Sequence, residues 1–295
     1  MVRRSTAIRL TGASLAAAGA WAGLLAFVPG PVGAAAKASL PRAMIGEARR
    51  ASVTVNIAPA LDVRVSGGAA AGRPIVVLDA GHGGRDPGAV SISGEVSEKE
   101  LTLALARDLR DRLVKRGRVR VAMTRDSDRY LTLEERADVA RGLGASLFLS
   151  LHMDSAPNPL ARGASVYSLS DVASDAEAAR FARTQNAGAV AGAIDGSVGS
   201  ILADLALRSQ MSASADLAAR LVRKSAARFA LRPEPHRFAT FQVLRRAQAP
   251  AVLFEAGYLS NVDDELLLRS AQYRAALVAS LAETIEADIA ARIRR

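Results

Sequence analysis

The segment Ile75-Val-Val-Leu-Asp-Ala-Gly-His-Gly-Gly84 decides the fold class. Its first four residues are all apolar, without the alternation of a strand that keeps one face wet, so 75–78 reads as a strand covered on both sides. Asp79–Gly84 breaks the run with glycines, which permit positive φ and close packing in a tight loop. A strand covered on both faces belongs between helix layers, and the chain downstream alternates accordingly. Ser97-Glu-Lys-Glu100 has the form of a capping box, and Leu101, Leu105, Leu109 and Leu113 follow on one helical face to a stop near Gly117. Val119–Met123 predicts a strand, and Thr132 with Glu135 caps a second helix running to Arg141. Leu147-Phe-Leu-Ser-Leu151 predicts another buried strand, ending at His152, and Ala164–Leu169 a further one. Asp171–Ala230 is alanine-rich and reads as mostly helical, broken at Gly192, Gly196 and Gly199. Phe241–Leu244 and Ala251–Phe254 are expected as the last strands, and Ser270–Ile293 as a long amphipathic terminal helix. The expectation is an α/β fold, a single domain over 73–293 with a mostly parallel central sheet flanked by helices.

Upstream, Arg3, Arg4 and Arg9 precede an uncharged run, Thr11–Val28, and the small residues Gly33–Ala36, with Ala36-Lys-Ala38 offering a cleavage site. This predicts a signal peptide over 1–36 and an exported protein, periplasmic or associated with the cell wall. The Gly, Pro and Ala content of the run argues against a retained membrane anchor. The Arg3-Arg4 pair hints at the twin-arginine route, although Thr6 and Ala7 lack the usual bulky apolar character. Residues 37–72 read as a linker or short hairpin, with Val53–Ile57 and Leu61–Val65 as its strands.

Composition narrows the chemistry. The 295 residues contain no cysteine, which excludes thiolate metal sites, a cysteine nucleophile and disulfides. The formal charge of +10, or +7 without Arg3, Arg4 and Arg9, suits an anionic partner such as cell wall or a membrane surface. Nucleic acid is disfavoured by the shortage of aromatics and by the export signal. Neither a Gly-Lys-Ser/Thr phosphate loop nor a Gly-x-Ser-x-Gly nucleophile turn is present.

Of the three histidines, His82 and His152 are expected just past the carboxyl ends of buried strands, the edge where ligands bind in open α/β sheets. Two imidazoles so placed, with glycines and Asp154 nearby, are as readily ligands for Zn²⁺ as polar loop residues; a lone one would more readily be a polar loop residue. A catalytic zinc needs a third protein ligand and an open position. Glu98, in the first turn of its helix, is a candidate, but Glu95 and Glu100 are equally acidic neighbours. Glu255 ends the apolar run Ala251-Val-Leu-Phe254, where a carboxylate is unfavourable unless it is paired or functional. It is a candidate general base, the alternative being a structural carboxylate bonded to backbone N–H groups.

Several ordered blocks together resemble the zinc-dependent N-acetylmuramoyl-L-alanine amidases that remodel bacterial septa. They are Ile75–Gly84 with Asp86-Pro-Gly88, Glu98-Lys99, Thr124-Arg-Asp126, Ser150-Leu-His-Met-Asp154 with Ala156-Pro-Asn158, and Val252-Leu-Phe-Glu-Ala-Gly-Tyr-Leu-Ser-Asn261. The resemblance covers about 73–293 and implies that His82, Glu98 and His152 hold Zn²⁺ and that Glu255 is the catalytic carboxylate. It implies hydrolysis of the amide between the lactyl group of N-acetylmuramic acid and L-alanine in peptidoglycan. His236, in Arg232-Pro-Glu-Pro-His236, and Asn158 are expected at the substrate. Residues 171–211 resemble a helical regulatory insertion acted on by an activator protein, with Gln185 where an acid often stands. A monomer is expected. The competing readings are a silent wall-binding protein on the same fold, which would have lost one of the four site residues, and a zinc peptidase, whose motif blocks do not match.

Overall fold

The computed structural model describes residues 63–68, 72–187 and 198–294, all within one compact unit. The leader expected over 1–36, the strand expected over 53–57, and Gly192 and Gly196 lie outside the described residues.

One sheet organises the molecule. Its strands are β1 (Val65–Ser66), β2 (Ile75–Ala80), β3 (Arg120–Met123), β4 (Leu147–Asp154), β5 (Ala164–Leu169), β6 (Leu231–Ala239) and β7 (Ala251–Tyr258). They lie in the order β1-β3-β2-β4-β7-β5-β6. The core pairs β3–β2–β4–β7 are parallel, as is β5–β6, while β1–β3 and β5–β7 are antiparallel. The expected α/β class with a mostly parallel sheet is therefore the fold observed. Of the described residues 63–65 in the strand expected over 61–65, Val65 is in a strand; with Ser66 it adds an edge to the sheet beside β3.

The helices are α1 (Glu98–Arg116), α2 (Leu133–Gly142), α3 (Ala176–Gln185), α4 (Val198–Ser225), α5 (Gln242–Arg246), α6 (Val262–Arg269) and α7 (Ala271–Ile293). The Glu100 carboxylate accepts from the Ser97 backbone N–H at 2.9 Å, and α1 stops at Gly117, whose φ of 69° suits a left-handed cap. Period-2 alternation splits the sheet between two cores. Val76, Leu78, Leu149 and Phe254 pack with the leucines of α1 and with α4 and α7. Val77, Phe148, Leu253 and Tyr167 pack with α2, α3 and α5.

Two expectations are corrected. Phe241–Leu244 is not a strand: Phe241 caps α5, and the penultimate strand lies upstream at Leu231–Ala239. Its Pro233 and Pro235 argue against a strand locally, but β6 is an edge strand, where a missing N–H is tolerated. Its register also breaks there, Ala164 and Val166 pairing with Leu231 and His236. Secondly, β4 and β7 continue beyond their apolar runs, because they pair with each other as far as Asp154 and Tyr258. His152 and Glu255 are therefore inside strands, not after them. The short helix α6, capped by Asn261, was not foreseen.

The described parts of 171–211 pack on the domain. In α3, Ala178 and Ala182 are buried and Phe181 lies 5.1 Å from the Tyr167 ring; Leu207 and Met211 of α4 pack on the same core.

Candidate metal centre and active site

His82 follows β2 by two residues and sits in the left-handed region at φ 61°. Glu98 opens α1, and His152 lies in β4. The loop between β2 and α1 folds back on itself, with Glu98 N donating to Ala89 O at 2.8 Å, so all three converge at the carboxyl edge of the sheet. One ligand atom from each lies within 4.8 Å of the others. Geometry separates Glu98 from its neighbours: Glu95 pairs with Arg269, and Glu100 is occupied in capping α1.

Each member of the triad is oriented from behind. Asp86 Oδ2 lies 2.8 Å from His82 Nδ1, which leaves Nε2 facing inward. Glu98 Oε2 accepts from Ala89 N at 2.9 Å, and Oε1 accepts from Met153 N at 3.0 Å and contacts His152 Nδ1 at 2.8 Å. Burial alone would raise the Glu98 carboxyl, but bonds and attraction to both imidazoles hold it well below the ordinary carboxylate range. Burial likewise opposes charge on His82, yet Asp86 and Glu98 lift it to about 9, while burial lowers His152.

The residues fit a divalent cation. His82 Nε2 is buried with no hydrogen bond, although Glu98 Oε2 is 3.0 Å away. The two atoms are close but poorly aligned for a hydrogen bond, a geometry that suits both turning toward a shared cation. The donor set, two imidazoles and a carboxylate without sulfur, suits zinc among other metals.

Glu255 is fully buried in β7, in register with His152 across the β4–β7 pair and with Ser165 of β5. Neither of its oxygens has a hydrogen-bond partner among the described residues. Burial pushes its pKa well above 4.5, and the Asp154 and Glu98 carboxylates add to the shift. Glu255 shares a sheet face with Leu253, which together with His82, Glu98 and His152 lines a cleft of about 620 Å³; Glu255 itself is not among the lining residues. Asp154, pushed up to about 6 by burial, lines the cleft too.

Gly81 lets the His152 ring lie against the main chain: a Cβ there would fall 2.6 Å from Nε2. Gly81→Ala must therefore displace the imidazole. We expect kcat/KM to fall by about 10²-fold, the usual consequence of ångström-scale misplacement, with the far-ultraviolet dichroism unchanged. A variant of normal activity would show that the ring has room to move.

The other expected residues are less central. Gln185 lines the cleft wall with Phe181 and Thr184 of α3. His236 does not line it: the ring is half-buried on edge strand β6, with Nε2 2.9 Å from Ser168 Oγ. Asn158 is in an exposed turn outside the cleft lining, its Oδ1 accepting from Leu160 N at 3.0 Å. Asp86 and Asp79 were missed. The signal for Asp79 was present, a carboxylate at the end of an apolar run, the reasoning applied to Glu255.

A mostly parallel sheet that gathers two histidines, a glutamate and a second buried carboxylate at its carboxyl edge has the parts of a metal-assisted hydrolase. Residues 76–287 match the model of the N-acetylmuramoyl-L-alanine amidase family. The chain is 33% identical over 220 residues to N-acetylmuramoyl-L-alanine amidase AmiA of Escherichia coli K12, covering 72% of this chain and 75% of that one. It is 33% identical to AmiC of Neisseria meningitidis serogroup B over 72% of this chain, but spans only 52% of that relative. Among solved structures, the catalytic domain of the amidase CwlV from Bacillus (Paenibacillus) polymyxa var. colistinus superposes with a TM-score of 0.56 at 28% identity, over 72% of this chain and 96% of that one. The chain belongs to the N-acetylmuramoyl-L-alanine amidase family, and it is an enzyme of that amide-hydrolysing class.

Proposed function

We propose that the protein hydrolyses the amide bond between the lactyl group of N-acetylmuramic acid and L-alanine in peptidoglycan, in cell-wall remodelling or daughter-cell separation. In this reading His82, Glu98 and His152 hold Zn²⁺ and Glu255 is the catalytic carboxylate. The observation that carries it is the triad, with Glu98 and His152 buried and His82 half-buried, its ligand atoms within 4.8 Å, set in a cleft of a chain of this family.

Bound there, Zn²⁺ would supply Lewis acidity to the scissile carbonyl and to the attacking water. The chain does the rest. Asp86 fixes which nitrogen His82 presents, and the backbone N–H groups of Ala89 and Met153 hold Glu98 in place. Glu255 has unused acceptor capacity beside His152, and its raised affinity for a proton suits a group that takes one from water and returns it to the departing amine. Tyr130, Phe181 and Phe241 give the cleft apolar walls for a sugar and the start of its peptide. The net charge, +7 without Arg3, Arg4 and Arg9, favours adsorption to an anionic wall. Location outside the cytoplasm rests on the sequence of 1–36, and a regulatory part for 171–211 rests on α3 forming one wall of the cleft.

Digestion of purified sacculi tests the reading. Released peptides should be intact stems with a free L-alanine amine, identified by mass spectrometry. A chelator should abolish release, and Zn²⁺ should restore it. Bound zinc with no released stem would favour the silent wall-binding protein instead.

A further inference from the structure

Where β2 leaves the sheet, the backbone must expose carbonyls that no strand ladder can satisfy, and here they are buried. Their donors come from side chains. Arg125 is fully buried and, among the described residues, makes no direct ion pair, although the Asp79 and Asp128 carboxylates act on it from farther off. Its Nε donates to Ala80 O at 2.9 Å, and its Nη2 donates to Gly81 O and Lys99 O, both at 2.8 Å. Arg136, also buried, donates from Nη1 to Ala80 O and from Nη2 to His82 O, each at 2.8 Å. Thr102 Oγ1, from the second turn of α1, adds a bond to Gly81 O at 2.9 Å.

These bonds grip three consecutive carbonyls, those of Ala80, Gly81 and His82, together with the carbonyl of the residue after Glu98. Arg125 thus ties the His82 loop directly to the start of the Glu98 helix. His82 needs such restraint, because a left-handed conformation at a non-glycine residue persists only when its surroundings over-determine it. Burying two guanidiniums against one carboxylate, Asp79, is a poor route to stability. It is a good route to a fixed spacing, since only arginine carries several donors in a rigid planar fork.

We propose that Arg125 and Arg136 are positioning residues for the metal centre, holding the His82 main chain at a set distance from Glu98. The inference rests on the reading of His82, Glu98 and His152 as metal ligands. It assigns neither arginine a contact with substrate.

The test compares Arg125→Lys, Arg136→Lys and Thr102→Val with Glu286→Gln. Glu286 is a buried carboxylate that pairs with Arg116 and Arg118 at the opposite end of α1, so its loss destabilises the fold away from the site. Zn²⁺ affinity is measured by competition with a chromophoric chelator at a temperature where each variant is folded, and the visible spectrum of the Co²⁺-loaded protein is recorded. Lysine keeps the charge and loses the fork. Both lysine variants should bind Zn²⁺ about 10–100-fold more weakly with altered Co²⁺ bands, while Glu286→Gln lowers the melting temperature and leaves affinity and spectrum unchanged. Wild-type affinity and spectrum in both lysine variants would overturn the proposal. If Arg136→Lys does not fold, Arg125→Lys and Thr102→Val decide the matter by the same criteria. A wild-type protein that binds no ion would instead overturn the metal-site reading itself.

Discussion

Glu255→Gln loses amide hydrolysis by at least about 10³-fold, within the range of a general acid–base group, and at the same time makes the metal-free protein more stable. The two effects share one cause. Glu255 is buried without a hydrogen-bond partner, and burial, then Asp154 and Glu98, raise its pKa well above 4.5. A carboxyl whose folded pKa is raised binds its proton more tightly when folded. It therefore leaves stability untouched below about pH 4.5 and erodes it as pH rises towards the folded value. Over that window the wild type loses up to about 1.4 kcal/mol per pH unit relative to the amide, which has no proton to release on unfolding. Thermal melts with chelator present should coincide near pH 4 and diverge by several degrees at pH 7, glutamine above glutamate. An amide variant that melts lower at pH 7 would mean that Glu255 is a paired structural carboxylate. Retained activity would remove it from the mechanism.

Asp79→Ala should be among the most destabilising single changes outside the catalytic groups, at about 3–5 kcal/mol, because it leaves the buried Arg136 without its counter-charge. Asp79 is 1% exposed and accepts from Thr124 Oγ1 at 2.7 Å and from Arg136 Nη1 and Ser150 Oγ, each at 2.8 Å. It thereby joins β2, the residue after β3, α2 and β4 beneath the site. Burial would raise its pKa, but Arg136 and the three hydrogen bonds outweigh that and lower it below 3.8. The sign is opposite to that of Glu255. The stabilisation is complete above the unfolded value and is lost as pH falls through the folded one, so wild type and variant should converge in strong acid. Urea unfolding at pH 7 and pH 3 measures both. A loss below about 1 kcal/mol at pH 7 would show that water reaches Arg136 and replaces the carboxylate.

The two carboxylates show where local reading reaches its limit. Each stands out in sequence as an acid interrupting an apolar run, Asp79 after Leu78 and Glu255 after Phe254. Nothing local says that one is satisfied three times over and the other left bare, since the partners come from other strands and from α2. The same holds for Glu98: Glu95 and Glu100 share its neighbourhood and charge, and the residues alone could not choose among the three. Only the family resemblance favoured Glu98, and in space Arg269 takes Glu95, the α1 cap takes Glu100, and the histidines meet Glu98.

What the sequence determined by itself was whatever depends on period and on neighbours in the chain. The apolar runs at 75–78 and 147–149, the leucines of α1, and the Ser97 and Thr132 caps specify buried strands, covering helices and hence a mostly parallel α/β sheet. What only the tertiary structure decided was whatever depends on pairing between distant segments. The extension of β4 and β7 through His152 and Glu255, the place of a proline-bearing strand at the sheet edge, and the grip of Arg125 and Arg136 on the loop of His82 are of this kind. Periodicity is written along one segment, whereas a hydrogen bond or a buried charge needs a partner, and here the partners lie tens of residues away.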